Sequence, residues 1–143
     1  MGHRRFDDVT VGETIDCGTA TVTREEILSF AREFDPLAMH ADPEAAADSP
    51  FGGLIASGIH TFALTQPRVD ECFYGASGLV AAEHIQDVRL PAPVRPGDTL
   101  HVELEVLEKE VSEQGRGLVI TRRTATVDDA LVFEMRNETV WER

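Results

Sequence analysis

Leu100-His101-Val102-Glu103-Leu104-Glu105-Val106 alternates apolar with polar or charged side chains without interruption. Successive side chains of an extended chain point to opposite faces, so the stretch reads as a half-buried strand with Leu100, Val102, Leu104 and Val106 turned inward. The turn Arg95-Pro96-Gly97-Asp98 precedes it. Val80 to Val88, Val119 to Val127 and Leu131 to Trp141 supply further extended segments, and Ser112 to Gly117 and Asp128-Asp129 are the loops expected between antiparallel neighbours.

Upstream of residue 80 the pattern changes. After a loop-like start from Asp7 to Glu13, Thr19 to Val22 reads as a short strand. Thr23-Arg24-Glu25-Glu26 is a capping box, in which Thr23 accepts from the third amide while Glu26 reaches back, and Ile27, Phe30, Ala31 and Phe34 follow at helical spacing. That helix should stop before Pro36, because proline drives its predecessor, Asp35, out of the α region. A second, short helix opens at Asp42-Pro43-Glu44 and is broken by Ser49-Pro50-Phe51-Gly52-Gly53. Beyond Ser57-Gly58, the residues Ile59, Phe62, Ala63, Val69 and Phe73 predict the longest buried helix, with a kink or an early end at Pro67. Helices first and a meander second predict an α+β domain whose antiparallel sheet packs on one main helix, rather than an alternating parallel sheet.

The 143 residues suit a single domain, 1–143, and the 42% hydrophobic and 27% charged content excludes an extended disordered chain. No apolar run approaches the roughly 20 residues of a membrane span, so no membrane association is expected. Met1 to Asp7 turns acidic instead of entering an apolar segment, which predicts no secretory signal and a cytoplasmic location. Cys17 and Cys72 form no CxxC pair and are expected to be reduced and structural. Twenty-six Asp and Glu against 13 Lys and Arg leave a net charge of −13, which opposes a nucleic-acid partner over most of the surface. Lys109 is the single lysine. An acidic, arginine-rich surface suits a salt-adapted cytoplasm, and a GC-rich coding sequence accounts for the arginine bias equally well.

Two sets of residues could carry chemistry. Asp35 and His40 lie five apart, which would separate them on a continuous helix, but a proline-containing turn lets them converge as a carboxylate and imidazole acid/base pair flanked by Phe34, Leu37 and Met39. The alternative is an aspartate closing a turn and an unrelated surface histidine. Ser57-Gly58 opens the long helix, where unpaired amides and partial positive charge can hold an oxyanion; equally, Ser57 is a plain N-cap and Gly58 permits close packing. His60 is read as structural or solvent-facing, and His84 and His101 stand in strands without ligands at metal spacing, so no metal site and no cofactor are expected. Phe34, Met39, Phe51, Leu54 and Ile59 are candidates for core or for an acyl pocket, and Arg89, Arg95, Arg122 and Arg123 for phosphate contacts or for plain surface charge.

Taken in order, Asp35 with His40, Asp42-Pro43-Glu44-Ala45-Ala46, Phe51-Gly52-Gly53-Leu54-Ile55-Ala56-Ser57-Gly58-Ile59-His60-Thr61 and Pro93-Val94-Arg95-Pro96-Gly97-Asp98-Thr99-Leu100 resemble the MaoC-like hydratase/dehydratase family, which includes the (R)-specific, or type 2, enoyl-CoA hydratases. The resemblance covers nearly the whole chain. It implies the hot dog fold, an antiparallel sheet wrapped around one long central helix, and water addition to a 2-enoyl thioester or elimination from a 3-hydroxyacyl thioester, without metal or redox cofactor. It also implies an acyl-CoA or acyl-carrier-protein substrate and a homodimer or higher homo-oligomer. Asp35 and His40 match the family's catalytic pair and Gly58 the glycine whose amide holds the thioester carbonyl; Ser57 beside it joins the substrate-binding candidates. The sequence departs from the family motif at Phe34, Leu37 and Ala38, where Gly, Asn and Pro are usual. A thioesterase on the same fold and a non-catalytic acyl-binding subunit remain the alternatives.

Overall fold

The structure is a computed structural model that describes residues 3–143; Met1 and Gly2, part of the N-terminal reading above, lie outside the described residues. Five strands, β1 (Thr14–Thr21), β2 (Leu79–Arg89), β3 (Thr99–Val111), β4 (Gly117–Val127) and β5 (Ala130–Trp141), form one antiparallel sheet in the order β1-β3-β4-β5-β2. The alternation in β3 is realised as read, with Leu100, Val102, Leu104 and Val106 all buried. Val119 and Ala125 of β4 and Phe133, Met135 and Trp141 of β5 complete the inner face. Asp128 and Asp129, both at positive φ, make the two-residue turn between β4 and β5, the backbone geometry that matches the twist of a tight hairpin.

The helices lie on the inner side of the sheet. α1 (Arg24–Phe34) carries the expected capping box, the Glu26 amide donating to Thr23 Oγ1 and the Thr23 amide to Glu26 Oε1. α2 (Ala38–Ala41) is a single turn, and α3 (Pro43–Ala47) follows with Asp42 accepting from the Glu44 and Ala45 amides. α4 (Gly58–Val69) is the central helix around which the sheet wraps, giving the hot dog fold.

The structure corrects the sequence reading at four points. β1 starts at Thr14, five residues before the expected Thr19, because a bulge between Asp16 and Thr19, with Gly18 at φ 78°, interrupts the alternation. Of the kink or early end expected at Pro67, the early end does not occur, since α4 continues to Val69 and then widens into a π-type turn over Asp70–Tyr74. The buried face of α4 is His60, Thr61, Thr65 and Val69, while Ile59 and Ala63 face outward. Threonine hides well there because its hydroxyl bonds back into the helix, Thr61 to the Ser57 carbonyl and Thr65 to that of Phe62, which frees the methyl to pack. Finally, Cys17 and Cys72 are joined in a disulfide, not reduced. Their separation of 55 residues concealed that β1 passes beside the end of the central helix.

Candidate active site

Asp35 ends α1 in a non-helical conformation, φ −156°, as Pro36 requires. The chain then turns through Leu37 into α2, and that single turn brings His40 back against Asp35, with His40 Nε2 3.6 Å from Asp35 Oδ2. The convergence expected of the pair is therefore present. His40 is buried, at 5% exposure, and its Nδ1 lies 2.8 Å from the Ile55 carbonyl. A carbonyl only accepts, so Nδ1 carries a proton, and Nε2 is the ring nitrogen that faces Asp35. At 3.6 Å the two groups are too far apart for a direct hydrogen bond, but one oxygen can sit within about 2.6–3.2 Å of both.

Ser57 is fully buried as the N-cap of α4. Its hydroxyl donates to Asp35 Oδ2 at 2.6 Å and accepts from the Ile59 amide at 3.2 Å. Ser57 thus spends its hydroxyl on the carboxylate and on the helix end, which ties Asp35 to the same helix terminus that begins with Gly58. As the first residue of α4, Gly58 has an amide with no acceptor inside the helix, set in the positive end of the helix dipole.

Beside these groups opens a cleft of about 260 Å³. His40, Gly58 and Thr61 supply its polar edge, and Phe51, Ile55, Ala56 and the run Leu90-Pro91-Ala92-Pro93-Val94 its apolar wall. Of the apolar candidates named from sequence, Phe51 lines the cleft and Leu54 is core, whereas Phe34 and Ile59 are exposed and Met39 is half-buried. The Ile55 carbonyl and the Leu90-Pro91-Ala92 part of the wall were not singled out from sequence, and Pro93-Val94 entered only as part of the family resemblance. A backbone acceptor leaves no trace in residue type, and a Pro-rich connection reads simply as loop.

His60 does not join the site. It is buried on the α1 side of α4, its ring stacked on Phe30 with centroids 4.4 Å apart, and its Nδ1 has no hydrogen-bond partner. Burial lowers its pKa below the ordinary 6.5, the nearby Glu26 carboxylate opposing this more weakly. His101 pairs with Asp16 at 2.8 Å and His84 with Glu138 at 3.8 Å.

The four arginines divide. Arg123, at 1% exposure, points inward from β4 and donates to Thr65 Oγ1 and Gln66 Oε1 of α4, so it cannot receive a phosphate at the surface. Arg89 and Arg122 share Glu134, and Arg122 also meets Glu105. Arg95 donates to the Phe51 carbonyl and so braces one wall of the cleft.

Comparison with known proteins bears on this arrangement. A family model described as MaoC like domain matches residues 8–128. An uncharacterized protein of Bacillus subtilis, YdeM, is 34% identical over 132 residues, 91% of this chain and 93% of the relative. The 3-hydroxyacyl-thioester dehydratase Z of Mycobacterium tuberculosis is 36% identical over 111 residues, 76% of this chain and 72% of the relative. The crystal structure of a MaoC-like dehydratase from Rhodospirillum rubrum matches with a TM-score of 0.85 at 34% identity, covering 96% of this chain and 95% of that one.

Proposed function

The chain belongs to the MaoC-like domain family, and from that membership we propose that it is an acyl-thioester hydratase/dehydratase, adding water to a 2-enoyl thioester of coenzyme A or a carrier protein, or eliminating it from the 3-hydroxyacyl product. The observation that carries this reading is the disposition of three groups: the Asp35 carboxylate and Nε2 of His40 converge 3.6 Å apart, and the free amide of Gly58 borders the same cleft as His40. The name of the M. tuberculosis relative supports it.

In the hydration direction Asp35 and His40 hold one water between them. The pair takes a proton from that water as its oxygen bonds to C3, the C2=C3 electron pair shifts toward the thioester oxygen as enolate charge carried by the Gly58 amide, and the pair returns a proton to C2 as the enolate collapses. A preset donor at a helix N-terminus favours charge that appears only in the transition state, the usual source of the largest catalytic gain in such sites. Ser57 acts here as a positioning residue, holding Oδ2 of Asp35 so that the carboxylate keeps its orientation toward His40. Leu37, where the family carries Asn, offers no side-chain amide, so the water is oriented by the Asp35 and His40 pair alone.

The functional unit is a homodimer formed through β2. This strand lies at the sheet edge after β5, and Val80, Ile85 and Val88 on it are 45–48% exposed, an apolar edge that a second copy covers by strand pairing.

The test is a panel of straight and branched 2-enoyl-CoA substrates, followed for loss of the conjugated double bond and, in parallel, for release of free thiol. Hydration without thiol release is expected. Thiol release without hydration would replace the reading with a thioesterase, and ligand-induced stabilisation without either reaction would replace it with a binding subunit.

A further inference from the structure

Leu90 ends the apolar wall nearest the helix terminus, and it is half exposed, at 50%, although a leucine gains from burial. A β-carbon built on Gly58 would lie 2.4 Å from Leu90 Cδ1 and 3.5 Å from its Cγ and Cδ2. The isobutyl group therefore rests directly on the α-carbon of the residue whose amide borders the cleft, and a side chain at position 58 would require the Leu90 δ-methyl to move. Pro91 and Pro93 follow, each with its φ fixed near −65°, so the wall behind Leu90 is stiff and what can yield is the leucine side chain itself.

We propose that Leu90 is a specificity-determining residue: it fills the space beside the thioester carbonyl and selects against acyl groups that carry a substituent on C2. The inference rests on the reading of Gly58 as the carbonyl-holding amide. With the carbonyl oxygen on that amide, the acyl carbons run toward His40, which lines the same cleft, and the first of them is C2. A straight 2-enoyl group presents only a hydrogen there. A methyl branch needs the volume that the δ-methyls of Leu90 occupy, and one methyl more or less in a confined apolar site discriminates by roughly 10- to 200-fold.

The experiment compares kcat/KM for crotonyl-CoA and its 2-methyl analogue, tiglyl-CoA, in wild type, Leu90→Ala and Leu90→Phe. Leu90→Ala is expected to raise the tiglyl-to-crotonyl ratio about tenfold, and Leu90→Phe to lower it. A ratio unmoved by Leu90→Ala, with wild type hydrating crotonyl-CoA normally, overturns the role of Leu90 and leaves the hydratase reading intact. If wild type hydrates neither, that reading falls, and thermal stabilisation by the saturated butanoyl-CoA and isobutyryl-CoA decides Leu90 by itself. A branched-ligand gain in Leu90→Ala then supports the steric role, and no gain, or no stabilisation by either ligand, overturns it.

Discussion

Sequence leaves His60 between a structural and a solvent-facing role, and the structure decides for the structural one. It is buried against Phe30 with an unpaired Nδ1, ring stacking rather than hydrogen bonding filling that side of α4. Its lowered pKa makes a signed prediction. The unfolded chain takes up a proton near pH 6.5 that the folded ring refuses until lower pH, so His60 contributes to stability above that pH, and the contribution is lost as pH falls from 6.5 toward the depressed folded value. Urea midpoints measured from pH 7.5 to about 5.5 should fall more steeply for wild type than for His60→Gln; equal slopes would mean that His60 titrates alike in both states. By contrast, Asp35 and His40 were legible in sequence as a pair, since Pro36 announces the turn that brings them together. What sequence left open was the support behind them, the Ile55 carbonyl and the Ser57 hydroxyl, because those contacts span 15 and 22 residues.

At the scale of elements, α1 and α3 were legible to within a residue because their ends are written in capping chemistry, Thr23 with Glu26 and Asp42 with Pro43. α2 was not. It is four residues long and its N-cap, Leu37, makes no side-chain hydrogen bond, so nothing local signals it. That missing cap predicts a gain: Leu37→Asn places an amide oxygen where the first turn of α2 has free N–H groups, at an exposed position that loses little burial. Stability should rise by about 0.5–1 kcal/mol, read as a higher denaturant midpoint at unchanged m-value. An unchanged or lower midpoint would show that the turn carrying His40 is held by tertiary contacts alone. In the sheet, strict alternation marks β3 alone, because Arg122-Arg123 in β4 and Leu131-Val132-Phe133 in β5 break it; these two and β2 were legible only as extended segments, and β2, with three register irregularities and exposed along most of its length, reports an edge and not a core.

Over the whole molecule, the order of helices before meander was enough to reach an α+β architecture, and the family resemblance supplied the wrapping of the sheet around α4. Long-range covalent structure was beyond that reading. The Cys17–Cys72 bond ties β1 to the end of the central helix region, and the loop it closes contains Asp35, His40, Ser57 and Gly58. Closing a loop of this length restricts the unfolded chain and typically contributes about 2–4 kcal/mol. A thiol reductant is therefore expected to lower the denaturant midpoint of wild type, while Cys17→Ser/Cys72→Ser begins at the lower value and does not respond. A wild-type midpoint indifferent to reductant would mean that the crosslink adds nothing to stability. The net charge of −13 acts at the same scale, raising self-repulsion that salt screens, and ion pairs such as Arg122 with Glu105 and Glu134 set opposite charges across the outer face of the sheet.

The most direct test of the proposed catalytic pair is kcat for hydration of a 2-enoyl-CoA by wild type and by Asp35→Asn, which keeps the shape and the Ser57 contact while removing the carboxylate charge. A fall of roughly 10²-fold or more, at unchanged fold and thermal midpoint, is the expected result for losing a general acid/base. Wild-type turnover that survives in Asp35→Asn would contradict the assignment of Asp35 and His40 as the groups that move the proton.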